Sequence, residues 1–147
     1  LTNRGFKVAI ILLKETSDYQ VITKQHLSAV QALGVAILSL TDFQNLSVTE
    51  FDYIVDGLLG VTLSSSPRKQ TSDAIRVINN SLAHIISIDV PSGLNTQTGA
   101  YYQCHIKPHV ILSFIGPKRG FKQLHDVSIY IVDIGIPTQL IDYIKGT

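Results

Sequence analysis

Short apolar runs, separated by segments of mixed polarity, constrain the fold of this chain more than any other feature of its sequence. Each run is rich in β-branched residues and is bounded by turn residues, which is typical of strands buried on both faces of a parallel sheet. Five runs fit this pattern well: Lys7–Leu13, Tyr53–Val55, Ile85–Ile88, Val110–Phe114 and Ser128–Val132. A sixth run, Val35–Leu40, is less regular.

Two segments between these runs predict amphipathic helices. The first helix is predicted to begin with Ser17 as its N-cap and to end at Gly34. The second is predicted to begin at Ser66 and Pro67, with proline in the first turn. Their inward faces are predicted to carry six apolar residues: Leu27, Val30 and Leu33 in the first helix, and Ile75, Ile78 and Leu82 in the second.

The alternation of strands and helices predicts an α/β fold in one domain, residues 1–147, with an open and mostly parallel sheet. Parallel neighbours need crossover connections, which the helices supply. After Asn95 the pattern weakens into a long loop, and the segment Ile115–Asp126 between the last two strands is too short to predict a helix. The closing strand could therefore be antiparallel or a hairpin partner, which would make the sheet mixed.

The charge balance argues against a dedicated nucleic-acid-binding protein. Lys and Arg number 12 against 11 for Asp and Glu, and aromatic residues make up only 7% of the chain. A small-molecule ligand is the better hypothesis. The single cysteine, Cys104, cannot form an internal disulfide, which fits a reducing compartment and a cytoplasmic location.

Charged side chains follow four of the predicted strands, at or just beyond the point where each strand ends. Asp56, Asp89 and Asp133 each come directly after an apolar run, and Lys118 lies in a Gly-Pro turn after another. Ligands bind beyond the carboxyl ends of parallel strands, where these side chains would meet. Asp133 is the exception, because it is predicted to be an ordinary turn residue.

The stretch Asp89–Gly93, with the sequence DVPSG, has the composition of a preorganised catalytic turn. Proline stiffens the chain, glycine allows a close approach, and Asp89 is predicted to be a general acid or base. Asp56 lies one predicted strand away. Asp56 and Ser92 could together bind an alkali cation through hard oxygen atoms.

The loop from Gly60 to Ser66 has two interpretations. Its small residues would let backbone N–H groups approach a phosphate at the start of the following helix, with Arg68 adding positive charge. It could equally be a solvated connection in which a serine caps the helix.

Four motifs together resemble the NAD(P)HX epimerase domain, the YjeF N-terminal-domain family. They occur in the family's order and at about its spacing, from about Gly5 to Pro137: DYIVDGLLGVTLSSSPR, IISIDVPSGLNTQTG, ILSFIGPKRG and IYIVDIGIP. The resemblance implies a Rossmann-like three-layer α/β/α sandwich that forms homodimers. It also implies an isomerase that interconverts the R and S hydrates of NADH and NADPH, so that a fused or separate ADP-dependent dehydratase can restore the coenzyme.

The same resemblance implies roles for individual residues. Asp56 and Ser92 match the family's ligands for a potassium ion. Asp89 matches its acidic residue at the hydrated nicotinamide, and Lys118, in the Pro-Lys turn, is the second predicted catalytic residue. The segment that contacts the nucleotide is predicted to comprise Gly60, Val61, Thr62, Leu63, Ser64, Ser65 and Ser66, together with Asp89.

The chain departs from the family in its first part. The Asn- and Gly-rich loop that follows the family's first strand has no counterpart here, so the domain is expected to be N-terminally incomplete. In addition, Thr62 stands where Gly is common and Gly57 where Ala is usual. The alternative hypothesis is a catalytically silent module of the same fold that binds nucleotide or RNA as a scaffold. A sugar or nucleoside kinase lobe is disfavoured, because no Gly-Lys-Ser/Thr loop is present.

Overall fold

The computed structural model describes residues 1–45, 51–60, 66–137, 139 and 140. These residues belong to two compact units, residues 1–50 and residues 51–147, and each unit has its own parallel sheet. Among the described residues, no helix is long and apolar enough to cross a membrane. The single-domain organisation stays a prediction.

The first unit is a two-stranded parallel sheet with a helical crossover. β1 (Ala9–Leu12) pairs with β2 (Ala36–Ser39), and α1 (Val21–Ala32) connects them. Leu27 of α1 is buried and Val30 is half-buried, as the apolar pattern predicts.

Two predictions for α1 are wrong. Ser17 does not cap the helix, because it lies in a separate 3-10 helix, Thr16–Asp18, where its Oγ donates to the neighbouring Asp18 carboxylate. The N-cap of α1 is Gln20. Leu33 does not face inward: the helix ends before it, and its side chain is 62% exposed.

A short helix that the sequence analysis missed, α2 (Leu40–Asn45), follows β2 directly. The Asp42 carboxylate accepts hydrogen bonds from both the N–H and the Oγ of Ser39, and the Asp42 N–H donates to Ser39 Oγ. This reciprocal pattern resembles a capping box, and its hydrogen bonds lower the pKa of Asp42. The Ser-x-x-Asp spacing is therefore the signal that could have found α2.

The second unit is built on a four-stranded sheet in which all neighbours are parallel. Its strands follow one another in the same order along the chain and across the sheet: β3 (Tyr53–Asp56), β4 (His84–Ile88), β5 (Val110–Phe114) and β6 (Ser128–Val132). The prediction of a mostly parallel α/β fold is confirmed. All six predicted strands lie within one or two residues of the observed ones.

The closing strand is parallel to its neighbour, so the antiparallel and hairpin alternatives are wrong. β5 and β6 pair in register from Val110 and Ser128 onwards. The segment between them contains a 3-10 helix, Arg119–Gln123. A parallel connection needs about a dozen residues, and this segment is just long enough to return the chain to the start of the sheet.

The crossover from β3 to β4 contains α3 (Lys69–Asn79), whose residues Ile75 and Ile78 are buried as predicted. The predicted cap at Ser66 and Pro67 is wrong, because the N-cap is Arg68 and the Pro67 carbonyl instead accepts a hydrogen bond from Ser72 Oγ. Leu82 was also predicted to face inward. It lies beyond the helix end and is 85% exposed.

A hydrophobic cluster brings together the loops that follow β4 and β5. Val90 and Leu94 come from the first loop, Phe121 from the second, and Ile111 from β5 itself. All four are at most 5% exposed. Burying such a side chain contributes about 1.5–3 kcal/mol, so this cluster fixes both loops at the carboxyl edge of the sheet.

Two glycines let the same loops touch main chain to main chain. A Cβ on Gly120 would lie 2.7 Å from Gly99 N, and one on Gly99 would lie 2.5 Å from Gly120 O. The Gly120 N–H donates to the Thr96 carbonyl at 2.9 Å. No residue with a side chain fits at either position without moving one loop.

We expect Gly120→Ala to lower the free energy of unfolding by about 2 kcal/mol, because the added methyl group overlaps main-chain atoms that cannot rotate away. Gly57→Ala is the matched control, since no atom of the described residues lies within 4 Å of a Cβ at that position. It should be neutral or slightly stabilising. Chemical denaturation followed by circular dichroism measures both, and equal stability of the two variants would contradict the close contact.

Candidate functional site

The carboxyl ends of β3 to β6 lie along one edge of the sheet, because all four strands are parallel. Asp56 is the last residue of β3, and it is level with Ser87 of β4, two residues before Asp89. Lys118 follows β5 in the next loop. The sequence prediction that these strands deliver their polar residues to a shared edge is confirmed.

Asp56 is buried and has a hydrogen bond donor for each lone pair of its carboxylate. Oδ2 accepts from Ser87 Oγ at 2.7 Å and from the Ser92 N–H at 2.9 Å. Oδ1 accepts from Ser92 Oγ at 2.6 Å and from the Leu58 N–H at 3.2 Å. The residue is only 1% exposed. A carboxylate can be buried in this way only because these four donors replace the water that it loses.

This network joins three segments of chain. Asp56 belongs to β3, Ser87 to β4, and Ser92 to the turn after β4. Ser92 Oγ also accepts from the Leu59 N–H at 2.9 Å, which holds the loop after β3. Ser87 was missed by the sequence reasoning. A hydroxyl inside an otherwise apolar run, next to a strand that ends in Asp, is the signal that could have found it.

The turn itself is packed against a later segment. Gly93 has φ +92°, and a Cβ there would lie 2.6 Å from the carbonyl oxygen of Cys104. The Ser92 carbonyl accepts from the Ile106 N–H, and the Gly93 carbonyl from the Tyr102 N–H. The close approach predicted at Gly93 is therefore made by the protein's own main chain.

A potassium ion does not fit Asp56 and Ser92 as they are arranged. A carboxylate has about four acceptor positions, and all of them are occupied at Asp56. An ion would have to displace donors from a group that is almost completely buried. Nor do three or more His, Cys, Asp or Glu side chains of the described residues form a group that could hold a metal. Potassium binding stays a prediction from the resemblance.

Asp89 lies in a strained turn at the end of β4. Its φ is +63°, and the Val90 N–H donates to the Ile88 carbonyl at 2.8 Å across it. A hydrogen bond between residues i and i+2 around a positive φ defines a γ-turn of the rare, strained kind. Aspartate tolerates this backbone better than most residues. The turn directs the chain away from the sheet directly after the strand.

The side chain of Asp89 joins β4 to the loop after β5. Its Oδ1 accepts from the Phe114 N–H at 3.0 Å and lies 2.8 Å from Lys118 Nζ. No described residue donates a hydrogen bond to its Oδ2, and the side chain is 28% exposed. One carboxylate oxygen is therefore held in place, while the other accepts no hydrogen bond from the described residues.

Lys118 is also held firmly. Its ammonium group donates to the Phe114 carbonyl at 2.9 Å and to the Gly116 carbonyl at 3.4 Å, in addition to its ion pair with Asp89. Its side chain is 21% exposed. The ammonium therefore compensates the charge of Asp89 from a fixed position.

Asp89 and Lys118 line a cavity of about 620 Å³. Four further described residues line it, and none of them was predicted from the sequence: Thr96, Gln97, Ile115 and Arg119. The signal for Arg119 was its place next to Lys118, whereas Thr96 and Gln97 lie in a loop whose path depends on the contact between Gly99 and Gly120. This volume is within the range of small-molecule binding sites.

The remaining predicted site residues are only partly described. Gly60 and Ser66 are exposed, and Val61, Thr62, Leu63, Ser64 and Ser65 lie outside the described residues. Asp133 accepts a hydrogen bond from the Gly135 N–H at 2.8 Å. Its role as a turn residue is therefore confirmed.

Asp56→Asn should lower the free energy of unfolding by about 2–4 kcal/mol, because the amide nitrogen cannot accept and leaves buried donors unpaired. Asp133→Asn is the matched control: its turn is exposed and needs only one acceptor oxygen, so its effect should be close to zero. Thermal melts should show the same loss of melting temperature for Asp56→Asn in potassium buffer as in sodium buffer. A melting temperature that rises specifically with potassium, and no longer does so in Asp56→Asn, would instead show that Asp56 is an ion ligand.

Comparison with known proteins shows which family and which relatives the chain resembles. Residues 1–120 of 147 match the family described as YjeF-related protein N-terminus. The bifunctional NAD(P)H-hydrate repair enzyme Nnr of Hyperthermus butylicus is 30% identical, over 98% of this chain and 28% of that protein. The NAD(P)H-hydrate epimerase of Dehalogenimonas lykanthroporepellens is 28% identical, over 82% of this chain and 51% of that protein.

A solved structure has the same fold. The crystal structure of the yeast protein YNL200c matches 93% of this chain and 59% of that protein with a TM-score of 0.82, at 22% sequence identity. The chain spans between about a quarter and about three fifths of the length of these proteins. Since the family match covers most of its residues, this chain belongs to the YjeF-related protein N-terminus family.

Proposed function

We propose that this chain contributes the catalytic cavity of an NAD(P)H-hydrate epimerase, an isomerase that interconverts the R and S forms of hydrated NADH and NADPH. The observation that carries the proposal is Asp89, which lines the cavity and whose carboxylate has one oxygen fixed by Phe114 and Lys118, while the other accepts no hydrogen bond from a described residue. The names of the relatives supply the reaction.

The chemistry needs one group that gives and takes a proton. The hydroxyl at C6 of the hydrated ring leaves as water when a protonated Asp89 donates to it, while the lone pair of the ring nitrogen forms a planar iminium ion. Water then adds to C6 from the other face, and its surplus proton returns to the carboxylate through solvent. The reaction is balanced, because the acid is regenerated and only the configuration at C6 changes.

Lys118 and the turn of Asp89 support this cycle in different ways. The ammonium lies 2.8 Å from Asp89 Oδ1 and stabilises the carboxylate that remains after the proton is donated. The Asp56 network fixes Ser92, three residues beyond Asp89, so that the Asp89 carboxylate keeps its position. A proton donor held in this way loses little entropy on reaching the transition state.

The partners of this chain are proposals, as its reaction is. The bifunctional relatives are named as repair enzymes, and we infer that a dehydratase, either fused or separate, acts on the epimer formed here. The homodimer and the potassium ion implied by the resemblance stay predictions, as does the cytoplasmic location. The proton transfers proposed for Asp89 do not require the ion.

Asp89→Asn should reduce epimerisation by at least about 100-fold, because an amide cannot give and take the proton. Asparagine keeps the acceptor for the Phe114 N–H and tolerates the positive φ, so the fold should persist. The measurement follows conversion of R-hydrated NADH to the S form by chiral chromatography.

Asp126→Asn is the matched control. Asp126 is an exposed aspartate that, like Asp89, has a positive φ, +59°, but it precedes β6 and so lies at the opposite edge of the sheet from Asp89. Its activity should equal that of the wild type. If Asp89→Asn is as active as the wild type, Asp89 has no part in the mechanism. If the wild type binds the dinucleotide but does not convert it, the catalytically silent module is favoured.

A further inference from the structure

Ile115 has a backbone conformation that its side chain disfavours. Its φ is +67°, and the Gly116 N–H donates to the Phe114 carbonyl at 2.7 Å across it, which makes a second γ-turn at the end of β5. Among the described non-glycine residues with positive φ, the other two are aspartates. For a β-branched residue such a conformation is a genuine outlier and carries backbone strain.

Hydrogen bonds on both sides of Ile115 impose this conformation. The Phe114 N–H donates to Asp89, and the Phe114 carbonyl accepts from Lys118. The Gly116 carbonyl accepts from Ser113 Oγ at 2.9 Å as well as from Lys118. The strained residue is therefore fixed by the same groups that hold the candidate catalytic pair.

Folding gains little from isoleucine at this position. The residue is 45% exposed, so it contributes only part of the burial that usually favours a large apolar residue. The sequence continues with Gly116, and a glycine at 115 as well would remove the strain. The backbone strain that isoleucine causes must therefore be offset by something other than burial of its side chain in the core.

We propose that Ile115 is the apolar wall of the cavity, against which the uncharged hydrated nicotinamide ring packs beside Asp89. This inference rests on the proposed function. The other lining residues in the described part of the chain are polar or charged, namely Asp89, Thr96, Gln97, Lys118 and Arg119. A ring made mostly of carbon needs one apolar surface to bind against, and Ile115 is the apolar residue that the described lining offers.

The wall also has an electrostatic effect. An apolar side chain against the part of the ring away from C6 excludes water there and leaves both faces of C6 open to it, and electrostatic interactions strengthen where water is excluded. The Asp89 carboxylate would then stabilise the iminium cation more strongly than it could in a fully wet cavity. The strained backbone at Ile115 therefore belongs to the site, because it carries the residue that forms the apolar wall.

Ile115→Gly separates stability from binding, because it removes the strain and the wall together. We expect its melting temperature to rise by several degrees. Its KM for hydrated NADH should rise about tenfold, the loss expected for most of one apolar side-chain contact. Inhibition by ADP-ribose, which lacks the nicotinamide ring, should be unchanged.

Two further variants make the test specific. Ile115→Asn tolerates the positive φ but presents a polar group, so it should also melt higher than the wild type and bind the ring weakly. Ile134→Gly is the matched control: Ile134 is 52% exposed, has no positive φ and does not line the cavity. It should not melt higher than the wild type, and its KM should be unchanged.

The outcomes distinguish this inference from the proposed function. If the wild type converts hydrated NADH and Ile115→Gly has the same KM as the wild type, the apolar wall is wrong. The proposed epimerase function would still stand. A lower melting temperature in Ile115→Gly would overturn the strain and make Ile115 an ordinary structural residue. A wild type that neither binds nor converts hydrated NADH would overturn the proposed function, and the wall would fall with it.

Discussion

The buried carboxylate of Asp56 is the constraint on which the rest of this unit depends. A charge taken out of water must find donors or be neutralised, and Asp56 finds them in β4, in its own loop and in the turn at Ser92. These donors belong to segments far apart in sequence. The requirement to satisfy one group therefore fixes how β3, β4 and the turn are arranged.

From this fixed turn the geometry extends to the cavity. The chain reaches Ser92 from Asp89 through the buried Val90 and Pro91, so neither end of this short segment can move independently. Asp89 in turn bonds to Phe114, and Lys118 to the carbonyls on both sides of Ile115. Two strained γ-turns at neighbouring strand ends are thus held by one continuous set of hydrogen bonds. Strain of this kind persists only where its surroundings over-determine it.

The sequence predicted the parts of the structure that depend on local signals. Apolar β-branched runs identified all six strands, and parallel topology then required Asp56 and Asp89 to reach the same edge of the sheet. The predicted helix starts were wrong at Ser17 and Ser66, because a 3-10 turn and an alternative hydrogen bond competed for the same short polar segments. Such competition is decided by tertiary contacts that a local pattern does not contain.

The least predictable features were those that arise from two distant segments at once. Ser87 looked like an interruption of a strand, but it is the partner of Asp56. Ile115 carries no turn signal at all, because its φ is imposed by Asp89 and Lys118 rather than by its own preference. The role predicted for Asp89 came from its turn and from the family resemblance, and that of Lys118 from the resemblance; the structure adds their ion pair and the cavity that both residues line.

The contact between Gly99 and Gly120 has an evolutionary consequence. When two side chains collide, a smaller residue at one position can make room for a larger one at the other. Here each glycine faces the peptide backbone of its partner, which every amino acid shares. No compensating exchange is available, so neither position can drift alone, and the pair is expected to change only if the two loops are rebuilt together.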